Sequence, residues 1–507
     1  MLEPIVYDVG RLCKFKDSYT PNIINLNIEI DEPKLLYDTP EPLLEKFKKS
    51  FIGELKIDGE TYKYQVLNYG KYIERAKIEE VDLYIIADRK IIERKELTYI
   101  KKLREKISPN SAIYFPLANP WEIPLLAYLG ADFFGTLSEF YAVKGYKLTK
   151  NRAIKSDKSF EELIEENNKV YLDIIEEVQE VIKKGYLRNL VEETSISHPY
   201  LWANYRRYEP DLRNISTFKK HKVIVTANIK IPEVKKYLER LKNYEPYTNI
   251  ILLLPCSSKK PYSESKTHRK IIKAIGKAVV EELILTSPYG LVPRALELAV
   301  NYDIPVTGEW SLEEIELINK LLKEFLKKVE EKFGDYKVIS YLPDHYLEIL
   351  EVESLVVKDL EELRKILKEY RGDKRKQRVH NLKELCRYQF YHNFLPDNIY
   401  INRKNQIIYK NKILATLKDK FILSLEGGKL MWETLGRDSF YVETNFDVKK
   451  GSLFPPGFVD CNEKISYDDE VILIKDNKFL GVGRAKLPGH EMKKAKHGAL
   501  VNIRKVL

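Results

Sequence analysis

Cysteine is scarce in this sequence, and its placement excludes several classes of protein. The 507 residues include only Cys13, Cys256, Cys386 and Cys461, and no two of them form a Cys-x-x-Cys pair. That spacing excludes a disulfide-stapled scaffold and a zinc ribbon or zinc finger. Thiols without disulfide spacing are typical of a reducing compartment. We therefore expect a cytoplasmic protein that holds no metal and no other cofactor.

Long hydrophobic runs are also missing. No stretch approaches the roughly 20 apolar residues that a membrane span requires, and the first residues, MLEPIVYDVGRLCKF, lack the basic and apolar regions of a signal peptide. We expect no association with membranes. The formal net charge of +10 is mild for this length, so it is compatible with a polyanionic partner but does not require one.

Short strand-like runs that alternate with helical patterns make up most of the chain, which predicts several α/β domains. A helix is expected over 159–185, and a second α/β unit with a mostly parallel sheet is expected from about residue 216. The end of the chain has a β-hairpin pattern, 471–474 and 479–483 around a polar turn. We predict four domains: 1–215, a central α/β domain at 216–370, a small basic α+β domain at 371–430, and a β domain at 431–507.

The densest group of reactive side chains lies in the segment 255–268. It directly follows the buried strand predicted at 250–254, and α/β sheets place their ligand-binding loops at such positions. The segment contains Cys256, Lys260 and His268. A nearby lysine favours the thiolate, which is a nucleophile, and an imidazole can donate or accept a proton. A lone cysteine at a strand end is often an inert core residue, and a phosphate-binding loop is disfavoured because the segment has no glycine.

Two further loops offer polar side chains. The segment 286–294 follows the next strand and contains Ser287 and Arg294, whose guanidinium could hold a phosphate or a carboxylate. The segment 302–310 adds Asp303 as a candidate acid. Each of these residues could instead be an ordinary surface or turn residue.

A basic segment follows the central unit and is a candidate RNA contact. It includes Lys374, Arg375 and Lys376, and aromatic residues follow at 388–392. Lysines and arginines neutralise backbone phosphates, and aromatic rings can stack on bases. The alternative is a solvated charged face followed by core aromatic residues.

The segment 255–268 also carries a family resemblance. It fits the pattern Pro-Cys-x3-Lys-Pro-Tyr-x2-Ser-x2-His and resembles the archaeosine synthases, which are paralogues of the archaeal tRNA-guanine transglycosylases. The matching residues are Pro255, Cys256, Lys260, Pro261, Tyr262, Ser265 and His268. Residues 117–149 are similar to part of the transglycosylase barrel, and residues 483–501 look like a PUA RNA-binding domain.

The resemblance implies a partial, TIM-barrel-like N-terminal domain and a C-terminal PUA β-barrel in which Arg484 and Lys486 contact RNA. It also implies two differences from an active transglycosylase. Gly135 stands where those enzymes have their nucleophilic aspartate, and the Cys-x-Cys-x-x-Cys zinc cluster is missing. Because glycine cannot form a covalent bond to RNA, we expect that this region has lost base exchange.

The implied activity is conversion of the nitrile of 7-cyano-7-deazaguanine, at position 15 of tRNA, towards the formamidine of archaeosine. We predict Cys256 as the nucleophile, Lys260 as the group that stabilises its thiolate, and His268 as the proton donor. An alternative mechanism has the amine attack the nitrile directly, with Cys256 only structural. The predicted substrate contacts are Tyr262, Ser265, Ser287, Arg294 and Asp303.

The partners implied are the cyano-modified tRNA and an amine donor, which is glutamine, ammonia or lysine. If lysine is attached, a separate radical-SAM protein must cleave the adduct, because this chain has no Cys-x3-Cys-x2-Cys cluster. A homodimer is also compatible with the resemblance. Two rival functions remain open, an active transglycosylase and a non-catalytic tRNA-binding accessory subunit.

Overall fold

The structure is a computed structural model that describes most of the chain. The described residues are 2–24, 26, 51–67, 77–86, 90–93, 97–208, 210–218, 229–300, 302 and 308–507. Residues 219–228, near the expected start of the second α/β unit, lie outside these ranges. Within them, no helix combines the length and the apolar character that crossing a membrane demands.

The N-terminal part contains two main sheets. The first is an antiparallel meander of β1 (Glu3–Asp8), β2 (Gly10–Phe15) and β3 (Ser18–Thr20). The second contains β4 (Asn22–Ile23), β5 (Phe51–Ile57), β6 (Glu60–Val66), β7 (Leu83–Ile85), β8 (Ala112–Phe115) and β9 (Phe133–Phe134). Its order is β4-β9-β8-β7-β6-β5, and only β5 is antiparallel to its neighbour. In the described ranges this sheet is open, with β4 and β5 as its edges, and the partial, TIM-barrel-like domain that the resemblance implied is not confirmed.

Helices and one short hairpin surround these sheets. The helices are α1 (Lys90–Glu93), α2 (Thr98–Lys106), α3 (Ile123–Tyr128), α4 (Ser138–Val143), α5 (Phe160–Lys184), α6 (Leu187–Ile196) and α7 (Pro199–Arg207), and the hairpin pairs β10 (Tyr146–Leu148) with β11 (Ala153–Lys155). Helix α5 confirms the predicted helix. Ser159 and Glu162 form a capping box at its start, and Gly185 ends it with a φ of 80°, a left-handed conformation that glycine adopts without steric cost.

The central domain alternates strands and helices, as predicted. Its elements are α8 (Pro232–Leu241), β12 (Ile250–Pro255), α9 (Lys266–Ile275), β13 (Glu281–Thr286), β14 (Gly290–Pro293), α10 (Leu312–Phe333), β15 (Lys337–Ser340), α11 (Asp344–Leu347), β16 (Leu355–Val356) and α12 (Leu360–Leu367). The sheet order is β14-β13-β12-β15-β16, and all strands except the edge strand β14 are parallel. The prediction of a mostly parallel sheet is confirmed.

Strand β12 lies at the middle of this sheet. The chain continues from β12 to its neighbour on one side, β13, and only later forms its neighbour on the other side, β15. The connection through α9 leads to β13, whereas the connection through α10 leads to β15. Because parallel crossovers are right-handed, opposite directions of travel place α9 and α10 on opposite faces of the sheet. The carboxyl end of β12 is therefore the switch point, where open α/β sheets form their ligand crevice.

The rest of the chain consists of a long helix and two further sheets. The elements are α13 (Lys374–Phe390), β17 (Tyr400–Ile401), β18 (Gln406–Tyr409), β19 (Lys412–Leu417), β20 (Phe421–Leu423), α14 (Leu425–Leu435), β21 (Tyr441–Thr444), β22 (Gly451–Leu453), β23 (Phe458–Cys461), β24 (Glu470–Lys475), β25 (Lys478–Ala485), α15 (Gly489–Met492) and β26 (Val501–Val506). Strands β24 and β25 confirm the predicted hairpin, within a six-stranded sheet of order β22-β26-β25-β24-β21-β23.

Packing links these parts of the chain. One apolar cluster runs continuously from the central sheet through α13 to the C-terminal sheet, whereas the N-terminal sheets have their own clusters. The side chain of Gln377 on α13 donates a hydrogen bond to the carbonyl of Val280, with an N···O distance of 2.6 Å. Helix α13 therefore packs on the central domain, although the predicted border at 371 assigned it to the small domain.

Candidate active site

The thiol of Cys256 lies directly after β12, at the switch point of the central sheet. Burial of the apolar run 251–254 holds the strand in the middle of the sheet. The loop after β13 lies on one side of Cys256, and α11, which follows β15, lies on the other. The reactive segment therefore directly follows a core strand, as predicted, at an end where open α/β sheets form ligand crevices.

Cys256 differs from the other three cysteines in its exposure. It is partly exposed, whereas Cys13, Cys386 and Cys461 are buried, and burial raises the pKa of each of these three thiols to about 12. A buried thiol with a raised pKa is a poor nucleophile. Cys256 is consequently the thiol best placed to react.

A tyrosine from the far side of the crevice faces this thiol. The hydroxyl oxygen of Tyr346 on α11 lies 3.9 Å from Sγ of Cys256. The tyrosine ring packs against Trp310, with ring centroids 4.2 Å apart. Burial, together with the nearby charge of Cys256, raises the pKa of Tyr346, so its hydroxyl stays protonated and can donate a hydrogen bond to a thiolate.

Lys260 lies in a buried aromatic pocket beside the same loop. Its Nζ is 3.7 Å from the ring centroid of Tyr302, in the geometry of a cation–π contact. The hydroxyl of Tyr302 is hydrogen-bonded to Thr286 and lies 3.0 Å from the hydroxyl of Tyr262. Burial and the charge of Cys256 raise the pKa of Tyr302. Tyr302 is thus in contact with Lys260 and within electrostatic range of Cys256.

The structure contradicts the predicted role of His268 as a proton donor. The side chain is fully buried, and both ring nitrogens have partners. Nε2 lies 3.0 Å from the carbonyl oxygen of Pro255, and Nδ1 lies 2.8 Å from a guanidinium nitrogen of Arg294. Because guanidinium only donates, Nδ1 accepts and Nε2–H donates to Pro255. Burial and the charge of Arg294 lower the pKa of His268 to about 3, so the ring is neutral and positions the strand end.

Arg294 is occupied by protein partners, which contradicts its predicted role in holding a substrate carboxylate. Its Nε is 2.9 Å from Glu282, and its Nη1 is 3.1 Å from Glu297. Glu297 also accepts a hydrogen bond from the backbone N–H of Ser263, at 2.8 Å. Arg294 therefore holds the loop 255–265 in place through Glu297, and it holds the start of α9 in place through His268.

The remaining predicted substrate contacts have structural roles where they are described. Ser265 caps α9, because its hydroxyl accepts from the backbone N–H of His268 at 3.1 Å. Tyr262 is fully buried, and the hydroxyl of Ser287 is hydrogen-bonded to Glu314. Asp303 lies outside the described residues. These side chains shape the crevice, and none of the described ones offers a free polar group.

The predicted RNA-binding residues lie on two surfaces. Arg375 and Lys376 are exposed in the first turn of α13, whereas Lys374 is half-buried and donates to Gln377. Arg484 is paired with Asp468 at 3.3 Å, so it is not the free cation that the prediction assumed. Lys486 is half-buried on the C-terminal sheet.

The sequence patterns missed several residues of the site. Tyr346 and Trp310 lie in segments that have no recognisable motif, and Glu282 and Glu297 resemble ordinary surface acids in the sequence. Their importance depends on contacts between distant segments. Glu297, three residues after Arg294, is the one local signal that could have indicated an ion-paired arginine.

Comparisons with known proteins match two parts of the chain to family models. Residues 234–382 match a family described as a domain of unknown function (DUF5591), and residues 444–507 match the PUA domain. A protein of Methanocaldococcus jannaschii named archaeosine synthase is 57% identical over 100% of both chains. This chain belongs to the archaeosine synthase family. The archaeosine synthase subunit alpha of Thermococcus kodakarensis is 31% identical over 80% of this chain and 77% of its own.

The family resemblance and the PUA domain predicted from the sequence are thereby confirmed. A tRNA-guanine(15) transglycosylase of Methanocaldococcus jannaschii is also similar, at 24% identity over 70% of this chain and 54% of its own. The structure gives a physical reason why Gly135 cannot be a catalytic aspartate in this chain. A Cβ atom at that position would lie 2.3 Å from the carbonyl oxygen of Pro116, which is far closer than van der Waals contact permits.

Proposed function

We propose that this archaeosine synthase family member adds an amine to the nitrile of 7-cyano-7-deazaguanine at position 15 of tRNA. The observation that carries the proposal is the partly exposed thiol of Cys256 at the switch point of the central sheet, in a chain that is 57% identical to an archaeosine synthase. A nitrile carbon is an electrophile, and a thiolate is the side chain best suited to attack it.

In the first step, Sγ of Cys256 bonds to the nitrile carbon while one π bond of the nitrile opens. The electron pair moves to the nitrile nitrogen, which takes up a proton, and the product is a thioimidate. In the second step the amine attacks the same carbon, the carbon–sulfur bond breaks, and a proton passes from the amine to sulfur. The net reaction joins nitrile and amine into an amidine, so it needs no redox cofactor.

The neighbours of Cys256 suit this chemistry. The ammonium of Lys260 lies against the ring of Tyr302, which is itself within electrostatic range of Cys256, and we assign Lys260 to stabilise the thiolate. The hydroxyl of Tyr346, 3.9 Å from Sγ, is the group that we assign to hydrogen-bond the sulfur. His268 and Arg294 position the loop from its buried side and do not transfer protons.

Trapping the covalent intermediate tests the role of Cys256. The protein is mixed with cyano-modified tRNA without an amine, and a protein–RNA adduct is sought on denaturing gels. We expect an adduct with the native chain and with the matched Ser257→Ala control, whose hydroxyl donates only to the carbonyl of Lys259. Cys256→Ala should form no adduct and no product. Full turnover by Cys256→Ala would instead support direct attack by the amine.

The amine donor is tested by weighing the product nucleoside after separate incubations with glutamine, ammonia and lysine. A mass increase of the modified nucleoside without base exchange supports the synthase and identifies the donor, whereas guanine release from unmodified tRNA would support a transglycosylase. If lysine is the donor, we propose that a radical-SAM partner cleaves the adduct. This assignment is in keeping with the relatives named subunit alpha.

Binding of tRNA is assigned to the PUA domain and to the exposed start of α13. Arg375 and Lys376 lie in a first helical turn that contains no acidic residue. Cations near the positive end of the helix dipole lower the stability of the helix. Because these two side chains do not stabilise the helix, we assign them to phosphate binding. Replacing Lys374, Arg375 and Lys376 by glutamine should lower the salt-dependent affinity for tRNA, and an unchanged affinity would refute this assignment.

A further inference from the structure

Helix α9 has a strongly basic exposed face, on which Thr267 and Ile272 are the uncharged residues. Four cationic side chains lie at the first residue of the helix and three, four and seven residues after it, which places them on one side of the helix, and a fifth follows the helix end. They are Lys266, Arg269, Lys270, Lys273 and Lys277, all exposed. The segment 265–280 contains no aspartate or glutamate. We call these five residues the α9 basic track.

No carboxylate pairs with the α9 basic track in the part of the chain that the structure describes. Other exposed helices of the protein do carry such pairs, for example Lys184 with Glu180 on α5 and Lys327 with Glu331 on α10. Like charges three or four residues apart on a helix repel each other and lower its stability. A stripe of five cations without acids is therefore unfavourable for the free protein and suited to an anionic partner.

The track starts at the candidate active site. Ser265 caps α9, and His268 ties its first turn to the carbonyl of Pro255, the residue before Cys256. The buried face of the same helix packs into the core through Ile271, Ala274 and Ile275. The helix is thus fixed relative to the thiol, and its basic face extends about 15 Å away from it.

The other end of the track meets the basic start of α13. The backbone N–H of Gly372 donates to the carbonyl of Lys277 at 3.2 Å, and Ala278 forms an isolated β-bridge with Arg371. These contacts place Lys277 beside the segment that leads to Arg375 and Lys376. Basic side chains therefore follow one another from the loop of Cys256 to the start of α13, where Asp373 is the acidic N-cap between Arg371 and Arg375.

We propose that the α9 basic track binds the sugar–phosphate backbone of the tRNA and directs the modified nucleotide to Cys256. This inference rests on the proposed function, because it takes tRNA as the substrate. Lysine-rich, solvent-facing stripes neutralise phosphates without reading bases. The contact should therefore raise affinity for tRNA in general and should not discriminate the cyano group.

The test neutralises the part of the track that is farthest from the thiol. The triple variant Lys270→Gln, Lys273→Gln and Lys277→Gln is compared with the native chain by filter binding of tRNA at several salt concentrations. We expect the slope of log affinity against log salt to fall by about two to three, and affinity to fall about tenfold or more at moderate salt. The melting temperature should stay the same or rise, because like-charge repulsion is relieved.

A matched control removes the same charge from the opposite face of the domain. The variant Lys320→Gln, Lys323→Gln and Lys327→Gln on α10 should bind tRNA with the native slope. The inference would be overturned if the native chain and the α9 variant showed the same salt dependence of tRNA affinity. It would also be overturned if both triple variants lost the same amount of affinity.

Product formation by the native chain separates this inference from the proposed function. If the native chain converts cyano-modified tRNA but the α9 variant binds tRNA normally, the proposed role of the α9 basic track in RNA binding is refuted and the proposed function stands. If the native chain forms no product while only the α9 variant loses salt-dependent affinity, the track stands as an RNA surface and the proposed function fails.

Discussion

Replacing Arg294 distinguishes a structural arginine from a substrate-binding one. The guanidinium contacts Glu282 at 2.9 Å, Glu297 at 3.1 Å and His268 at 2.8 Å, and only 11% of its side chain is exposed. Arg294→Met leaves two largely buried carboxylates and one imidazole nitrogen without their partner. An uncompensated buried charge of this kind costs about 3–5 kcal/mol.

That cost translates into a measurable change in thermal stability. For a domain of 150–250 residues, 1 kcal/mol shifts the melting temperature by about 2–4 °C, so Arg294→Met should melt about 6–20 °C lower. Arg294→Lys keeps the charge, but its ammonium cannot reach all three partners. Its melting temperature should therefore lie between those of the native chain and Arg294→Met. Arg364→Met removes an exposed arginine of α12 and should change stability by less than about 0.5 kcal/mol.

Thermal unfolding and donor kinetics together decide between the two interpretations. If Arg294 is structural, turnover falls with ammonia and with amino-acid donors alike, because the loop of Cys256 is displaced. If Arg294 holds a donor carboxylate, the melting temperature is unchanged and KM rises only for glutamine or lysine. The second result would refute the reasoning from the buried ion pairs.

Four further outcomes are expected. Gly135→Asp should not enable guanine release from unmodified tRNA, and it should lower the melting temperature because its Cβ would meet the carbonyl of Pro116 at 2.3 Å; appearance of base exchange would contradict this. The depressed pKa of His268, about 3 against an ordinary 6.5, means that stability is complete above pH 6.5 and falls by up to about 1.4 kcal/mol per pH unit down to pH 3. His380, Glu281 and Glu384 titrate in the same window, so the measurement compares chemical unfolding of the native chain and His268→Gln at pH 7, 5 and 4. The stability of the native chain relative to the variant should fall with this slope as the pH drops; a difference that does not change with pH would contradict the assignment. Brief iodoacetamide treatment of the folded protein should label Cys256 alone, and peptide masses that show equal labelling of a buried cysteine would contradict the burial. Tyr346→Phe should keep the ring contact and lower turnover about 10–100-fold, the equivalent of one hydrogen bond to a charged group; unchanged kinetics would remove Tyr346 from the mechanism.

The elements of the fold were predictable where their signals are local. The apolar run 250–254 indicated a buried strand, and the capping boxes at Ser159 and Ser311 marked the starts of α5 and α10. The hairpin of β24 and β25 followed from two apolar runs around a polar turn. Each of these signals depends on residues within a few positions of one another, so no tertiary information was needed.

The roles of individual side chains were less predictable because they depend on contacts between distant segments. Arg294 is 26 residues from His268, and Tyr346 is 90 residues from Cys256. In the sequence, His268 and Arg294 look like free catalytic groups. In the fold they neutralise and position each other, and the sequence contains no sign of that pairing. The partial, TIM-barrel-like form of the N-terminal domain was likewise a family expectation, with no local pattern to support it.

Helix α9 shows how one short element serves both the loop chemistry and the proposed RNA contact. Its periodicity sends His268, Ile271 and Ala274 inward, where they fix the helix to the strand end beside Cys256. The same periodicity sends the α9 basic track outward. Because the two faces do not share residues, phosphate binding on the outer face can orient tRNA against a thiol that the inner face holds in place. Substitutions on the outer face therefore measure RNA binding without displacing the catalytic loop, whereas substitutions on the inner face must alter both.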